Sequence, residues 1–285
     1  VRVKSDPEVA GTGRRDEIDV LVCLAGRFDK NRPLVCAHRA APVQVSMFDG
    51  ATSGLKEMDY WLTDGFLHPD GTQEIFTEEL YRLPVLYQWP PIADAPAVKA
   101  LPAEQAGTVT FGAFNNPKKI SEEVIRLWAD VLKAVPGSRL QLKFKNWYGQ
   151  APLCDCVTEW FAAGGIEQDR LGFAADLETL DEHLERYGGV DIALDTFPFN
   201  GATTTFQSLW MGVPVVSLAG GSFISRMSGS ILHQVGLGDL AVDTPEAFVT
   251  TARDLAGDLA RLKSLRAGLR ERMRTSPLCN APAYT

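Results

Sequence analysis

The sequence predicts an α/β protein built on parallel sheet, and three observations carry that expectation. Short apolar runs recur, such as IDVLVCLA at 18–25 and VDIALDT at 190–196, of the kind that form strands buried on both faces. From residue 108 onward, segments of helical spacing lie between such runs, and strands alternating with helices imply a parallel sheet covered on both sides. Hydrophobic residues make up 45% of 285 positions, enough to fill one large core or two medium ones.

Taken in order, 18–25 and PVQVSMF at 42–48 are predicted strands, and the Gly-rich GATSG that follows is a turn. Prolines at 84, 90, 91, 96 and 102 interrupt the next passage. Residues 84–107 are therefore expected to link a partial first lobe, 1–83, to a second lobe, 108–285. TVTFGAF at 108–114 is a strand. Ser121 caps a helix with Glu122 and Glu123 in its first turn. Val124, Ile125, Trp128, Val131, Leu132 and Val135 share one face of it, and Pro136-Gly137 stops it. Strands follow at 139–144, 171–173, 190–196 and 213–219, with helices at 155–163, 179–187 and 203–211 between them. A further helix follows Ser225 and ends near Gly236, and 245–274 form one or two closing helices. Arg261 to Arg274, basic but for Glu271, reads as a solvated face. No repeat of 20–50 residues is present.

Composition excludes several classes. The net charge of −8 argues against sequence-independent nucleic-acid binding. Positions 196–225 lack any charged residue, yet Pro198, Pro214, Gly201, Gly212, Gly220, Gly221 and the run Thr203–Thr205 argue against a membrane helix. Five cysteines, an odd number, suit a reducing and hence cytoplasmic setting. Cys154-x-Cys156 and Cys36-x-His38 have no second pair at zinc-site spacing, so no metal is expected. The GTGRRD at 11–16 follows no strand, and neither a P-loop nor GxSxG occurs. The polar start, Val1 to Gly13, does not read as a signal peptide, and both ends are expected to be cuts within a longer protein.

Parallel α/β sheets bind ligands beyond the carboxyl ends of their strands, which singles out three loops. In DTFPFNGATTTFQSLW, at 195–210, a strand ends, Asn200-Gly201 turns the chain, and a helix starts at Ala202-Thr203-Thr204. Free N–H groups and hydroxyls at such a start suit an anion, most simply a diphosphate. In FNNPKKIS, at 114–121, Lys118 and Lys119 stand where an ammonium meets a phosphate as a point charge. In DEHLER, at 181–186, His183 and Arg186 share a helix face suited to a nucleotide's base, ribose or phosphate. Taken singly, the threonines fit helix caps as well as an anion site, and Lys118, Lys119, His183 and Arg186 read as solvated surface.

These segments also resemble a known family. FNNPKKISEEVIRLWADVLKAVPGSRLQLK, DEHLERYGGVDIALDTFPFNGATTTFQSLWMGVPVVSLAG and SPLCN are similar to the O-linked N-acetylglucosamine transferases, including the SPINDLY and TPR-linked bacterial members. AHRAAPVQVS and ATSGLKEMDYWLTD carry a looser likeness in the first part. The resemblance implies a GT-B fold: a Rossmann-like C-terminal lobe on parallel sheet, plus part of an N-terminal Rossmann-like lobe, with the donor in the cleft. It implies inverting transfer of a sugar from a nucleotide diphosphate, UDP-GlcNAc, to Ser or Thr hydroxyls of acceptor proteins, without a metal or other cofactor. By position, Lys119 matches the lysine that stabilises the leaving diphosphate, and Asn116 a donor-contacting residue. His183 and Arg186 match the nucleoside side, and Gly201, Ala202, Thr203 and Thr204 the diphosphate-binding helix start. Gln207 stands where relatives carry an acid for the ribose.

The sequence departs from the family elsewhere. MFDGATSG replaces a longer aromatic segment, Gly26-Arg27-Phe28 replaces a strand-end motif, and Leu180 replaces a basic residue. The family's upstream His-Pro-Thr element and final helix do not occur in the sequence given, and upstream TPR repeats in the parent protein stay open. A SPINDLY-like fucosyl or other hexosyl donor stays open as an alternative, as does a degenerate nucleotide- or protein-binding module.

Overall fold

The computed structural model describes residues 4–26 and 31–284. Arg27 and Phe28 of the divergent strand-end motif lie outside the described residues. The chain forms two compact units. The first runs to Leu86 and also holds Gly221–Ile224; the second comprises Tyr87–Gly220 and Ser225 onward.

The first unit contains α1 (Asp6–Arg15), β1 (Val20–Leu24), α2 (Leu34–Ala37), β2 (Val43–Met47), β3 (Tyr60–Asp64) and β4 (Glu79–Leu83). The four strands pair in sequence order, all parallel. Ser5 and Glu8 close a capping box on α1, a helix not foreseen although its Ser-x-x-Glu spacing is present in the sequence. Strands β3 and β4 were also not foreseen, since YWLTD and ELYRL mix apolar and charged residues.

The prediction for 18–25 needs correction. β1 is an edge strand, and Val20, Val22 and Leu24 are 52%, 43% and 56% exposed. Only its alternate residues turn inward, where Cys23 packs with Cys36 and Met58. A continuous apolar run shows that both faces are greasy, not that both are covered. The GATSG turn is held by buried Glu78, which accepts from Thr52 Oγ1 at 2.6 Å and from Ser53 N at 2.8 Å.

The second unit contains α3 (Pro102–Ala106), β5 (Thr110–Ala113), α4 (Glu122–Ala134), β6 (Arg139–Lys143), α5 (Ala151–Ala163), β7 (Leu171–Ala174) and α6 (Leu180–Arg186). It continues with β8 (Ile192–Leu194), α7 (Thr203–Trp210), β9 (Val215–Leu218), α8 (Met227–Gln234), β10 (Ala241–Val242), α9 (Pro245–Gly257), α10 (Leu259–Arg274) and α11 (Ala281–Tyr284). Its six strands lie in the order β10-β9-β8-β5-β6-β7, all parallel. That is the doubly wound order, in which the direction the chain takes across the sheet reverses between β5 and β8.

Local chemistry explains the elements. Ser121 Oγ accepts from Val124 N at the start of α4, and Val124, Ile125, Trp128, Val131 and Leu132 are buried on its inner face. Each such side chain contributes about 1.5–3 kcal/mol by leaving water. Helix α5 begins four residues earlier than foreseen, because Pro152 sits in its first turn, where no N–H is needed. The Pro-rich passage has no regular secondary structure before α3, but it is packed. Trp89 stacks on Phe206 with ring centroids 4.7 Å apart, and its backbone N–H donates to Leu278 O.

The reading of Arg261–Arg274 as a solvated face is also corrected. Arg266 is 4% exposed and donates to the carbonyls of Val190, Tyr187 and Met211 at 2.8–3.3 Å. Arg270 donates to Trp210 O and Pro96 O. Long side chains carry a charge across an apolar face to loop carbonyls that sequence periodicity does not display. Gly212 makes this approach possible: at φ +77°, a Cβ there would stand 2.6 Å from Arg266 O.

Candidate functional site

The switch point of the second sheet lies where the chain leaves β5 and β8. Asp195, directly after β8, is 4% exposed and gathers the surrounding loops. Its Oδ1 accepts from Asn115 Nδ2 at 3.0 Å, Thr196 N at 2.9 Å and Gly201 N at 2.8 Å. Its Oδ2 accepts from Ser217 Oγ at 2.8 Å. One carboxylate thus ties the ends of β5, β8 and β9 to the start of α7. Asn200 adds a second clasp, donating from Nδ2 to Thr196 O and Leu218 O. Gly201 has no room for a side chain, since a Cβ would lie 2.7 Å from Thr205 Oγ1 and 3.2 Å from Asp195 Oδ1.

Helix α7 starts at Ala202, which offers no side-chain cap. The three threonines then separate by role. Thr205 is buried and its hydroxyl meets Ser228 Oγ at 2.7 Å. Thr203 is exposed and Thr204 half-buried. No side-chain hydrogen bond of either occurs among the described residues. The first-turn N–H groups and two hydroxyls therefore front an end that carries partial positive charge.

Lys119 is brought to the same place by the 3₁₀ turn Pro117–Lys119. Asn116 Oδ1 accepts from Lys118 N at 3.0 Å and sets that turn. Lys119 Nζ donates to Asn200 O at 2.7 Å and lies 3.7 Å from the Phe199 ring centroid. Burial lowers its pKa, and the Asp195 charge opposes that shift. Lys118 instead turns to the Trp147 ring, 5.7 Å away.

His183 comes from α6, whose start is closed by a Thr179–Glu182 capping box. Its Nε2 lies 3.1 Å from Gln207 Oε1 on α7, and its Nδ1 lies 2.6 Å from Lys143 Nζ at the end of β6. The ring sits against Phe114 and Tyr187, with centroids 6.0 and 5.6 Å away. Burial lowers the His183 pKa, as does the Lys143 charge, against the opposing pull of Gln207 and Glu178. Arg186, one turn on, faces elsewhere. Its Nε is 2.5 Å from Glu178 Oε1, and its terminal nitrogen 2.6 Å from Asp176 Oδ2.

The structure thus gathers Lys119, Gly201, Ala202, Thr203, Thr204, His183 and Gln207 about the β5 and β8 ends. It places Asn116 behind the lysine as the cap of its turn, and Arg186 in an acidic surface pair. Sequence reasoning missed Asn115 and Lys143. The first sits beside a chosen residue in the same loop, whereas the second had no local signal. Among the described residues, no group of three or more His, Cys, Asp or Glu side chains is placed to hold a metal ion, and no helix is long and apolar enough to cross a membrane.

Comparison with known proteins places this geometry in context. The family model described as glycosyl transferase family 41 matches residues 97–285. The Arabidopsis thaliana protein SPINDLY, which carries the name of a UDP-N-acetylglucosamine–peptide N-acetylglucosaminyltransferase, is 39% identical over 98% of this chain and 31% of its own. Its namesake from Hordeum vulgare is 38% identical over 98% of this chain and 30% of its own. The chain therefore spans about a third of the length of these relatives. A mutant of the Thermobaculum terrenum O-GlcNAc transferase superposes with a TM-score of 0.90 at 35% identity, over 95% of this chain and 52% of that one.

Proposed function

The chain belongs to glycosyl transferase family 41, and from that membership we propose that it forms the donor-binding part of a protein O-glycosyltransferase. In this reading, N-acetylglucosamine passes from UDP-GlcNAc to a Ser or Thr hydroxyl of an acceptor protein, with inversion at the anomeric carbon. The bond from that carbon to the diphosphate breaks as the bond to the hydroxyl oxygen forms. Negative charge builds on the departing diphosphate, and groups aimed at developing charge lower the barrier.

The observation that carries the proposal is the meeting of Lys119 with the open start of α7. Its Nζ is 2.7 Å from Asn200 O, two residues ahead of the uncapped Ala202. An ammonium and a helix N-terminus converge on one small volume, and each favours an anion independently. Gln207 stands one helical turn further along α7, and His183 of α6 lies beside it, both in reach of a nucleoside. Gln207 supplies both a donor and an acceptor for sugar hydroxyls.

The test combines binding with transfer. Calorimetry with UDP and GDP identifies the donor by the tighter nucleotide; UDP is expected. In the full-length protein, Lys119→Ala should cut transfer of radiolabelled N-acetylglucosamine by roughly 10²–10³-fold. Equal incorporation by variant and wild type would remove Lys119 from the chemistry.

A further inference from the structure

We propose that Lys143 is a positioning residue for nucleotide binding, acting through His183: it holds the imidazole neutral with its proton on Nε2, so that α6 presents a fixed hydrogen-bond donor beside Gln207. The inference rests on the reading of the β5–β8 switch point as a nucleotide site.

Lys143 ends β6 and is 3% exposed. Its Nζ lies 2.5 Å from Glu178 Oε2 and 2.6 Å from His183 Nδ1. An ammonium only donates, so Nδ1 must accept and cannot carry a proton. The neutral ring then bears its single proton on Nε2. That nitrogen faces Gln207 Oε1 at 3.1 Å, and an amide oxygen only accepts. Both ring contacts therefore select the same tautomer.

The cost of this arrangement points to a role. A buried ion pair adds little stability over apolar residues of the same volume, because both charges lose water. An aliphatic side chain at 143 would fill the end of β6 without that penalty. What it would not do is orient His183. Among the described residues, the charged and titratable groups facing the ring are Lys143 from β6, Glu178 from the loop ahead of α6 and Tyr187 from the turn after it; α7 contributes the amide of Gln207. Without Lys143, Glu178 is the remaining charge. It would draw the ring proton to Nδ1 or stabilise imidazolium, and the neutral ring would lose its donor at Nε2.

The experiment begins with the wild-type 285-residue chain. It has four histidines, so His183 can be assigned in ¹⁵N-labelled protein by the signal that His183→Ala removes. The Nε2–H tautomer should persist without titration from pH 5.5 to 8. A proton on Nδ1, or a midpoint within that range, would overturn the proposal without any need for Lys143→Met to fold. In Lys143→Met, His183 should titrate. Calorimetry with UDP and with GDP should show affinity reduced roughly 10-fold at pH 8 and recovering toward pH 6, where imidazolium again donates from Nε2. Lys143→Arg should restore a flat profile, because a guanidinium also only donates. A Lys143→Met chain with wild-type affinity and a flat profile would sink the positioning role. Failure of the wild type to bind either nucleotide would instead overturn the nucleotide reading and the binding role with it; the tautomer measurement separates that result from an error about the Lys143–His183 pair.

Discussion

At the scale of single residues, the site depends on side chains whose alternatives are sterically or electrostatically closed. His183 is half-buried against Phe114 and Tyr187, and a ring nitrogen that bonds a nucleoside there does so with little competition from water. His183→Ala should weaken nucleotide affinity by about 1–3 kcal/mol, and an unchanged dissociation constant in calorimetry would exclude it from the site. Glu178 has a pH signature. Burial raises its pKa, but Lys143 and Arg186 outweigh that and hold it below the usual carboxylate range. The unfolded chain then binds the proton more tightly than the folded one. Stability from Glu178 is complete above the unfolded value of roughly 4.3 and is lost as pH falls through the lower folded value. Denaturation between pH 6 and 3 should show a shallower acid loss in Glu178→Gln than in wild type; equal slopes would show that the pair does not matter to stability. Gly201 and the threonines stood out as candidates because a strand end, a turn and a helix start are written in neighbouring positions, and Lys119 stood out through the family resemblance. Lys143 was not, because a lysine in RLQLKF looks like any strand lysine until β6 is laid beside α6.

At the scale of elements, α10 shows how a basic sequence hides a structural role. Arg261, Lys263 and Arg274 form exposed pairs with Asp239, Glu104 and Glu271, worth little each. Arg266 and Arg270 do the anchoring, through carbonyls of loops that precede β8 and follow α7. Arg266→Ala should cost about 3 kcal/mol, since it strands three buried carbonyls; Arg261→Ala should stay within about 0.5 kcal/mol. Chemical denaturation of the two variants checks this, and similar losses would refute the division of labour. The helical period of 259–274 was legible, but the burial of Arg266 was not. It depends on Gly212, whose bare backbone lets the helix close on the turn after α7.

At the scale of the whole molecule, the residues proposed to meet the nucleotide all belong to the second unit, three loops at one end of one sheet. Added UDP should therefore raise hydrogen-exchange protection together at 116–119, 183–187 and 201–207. Protection confined to one loop would show that the three do not serve one ligand. The alternation of apolar runs and helices determined the α/β class and the parallel sheet by itself, because strand and helix periods are local properties of the chain. Local turn and capping chemistry marked Gly201 and the threonines as candidates in the same way, whereas the family resemblance separated Lys119 from Lys118. Only the tertiary structure decided that β1 is an open edge, that Arg266 is buried, that Arg186 turns to Asp176 and Glu178, and that Lys143 meets His183 across 40 positions. Each of these depends on which distant segment lies opposite. That pairing is set by packing of the assembled layers, and no window of sequence contains both partners.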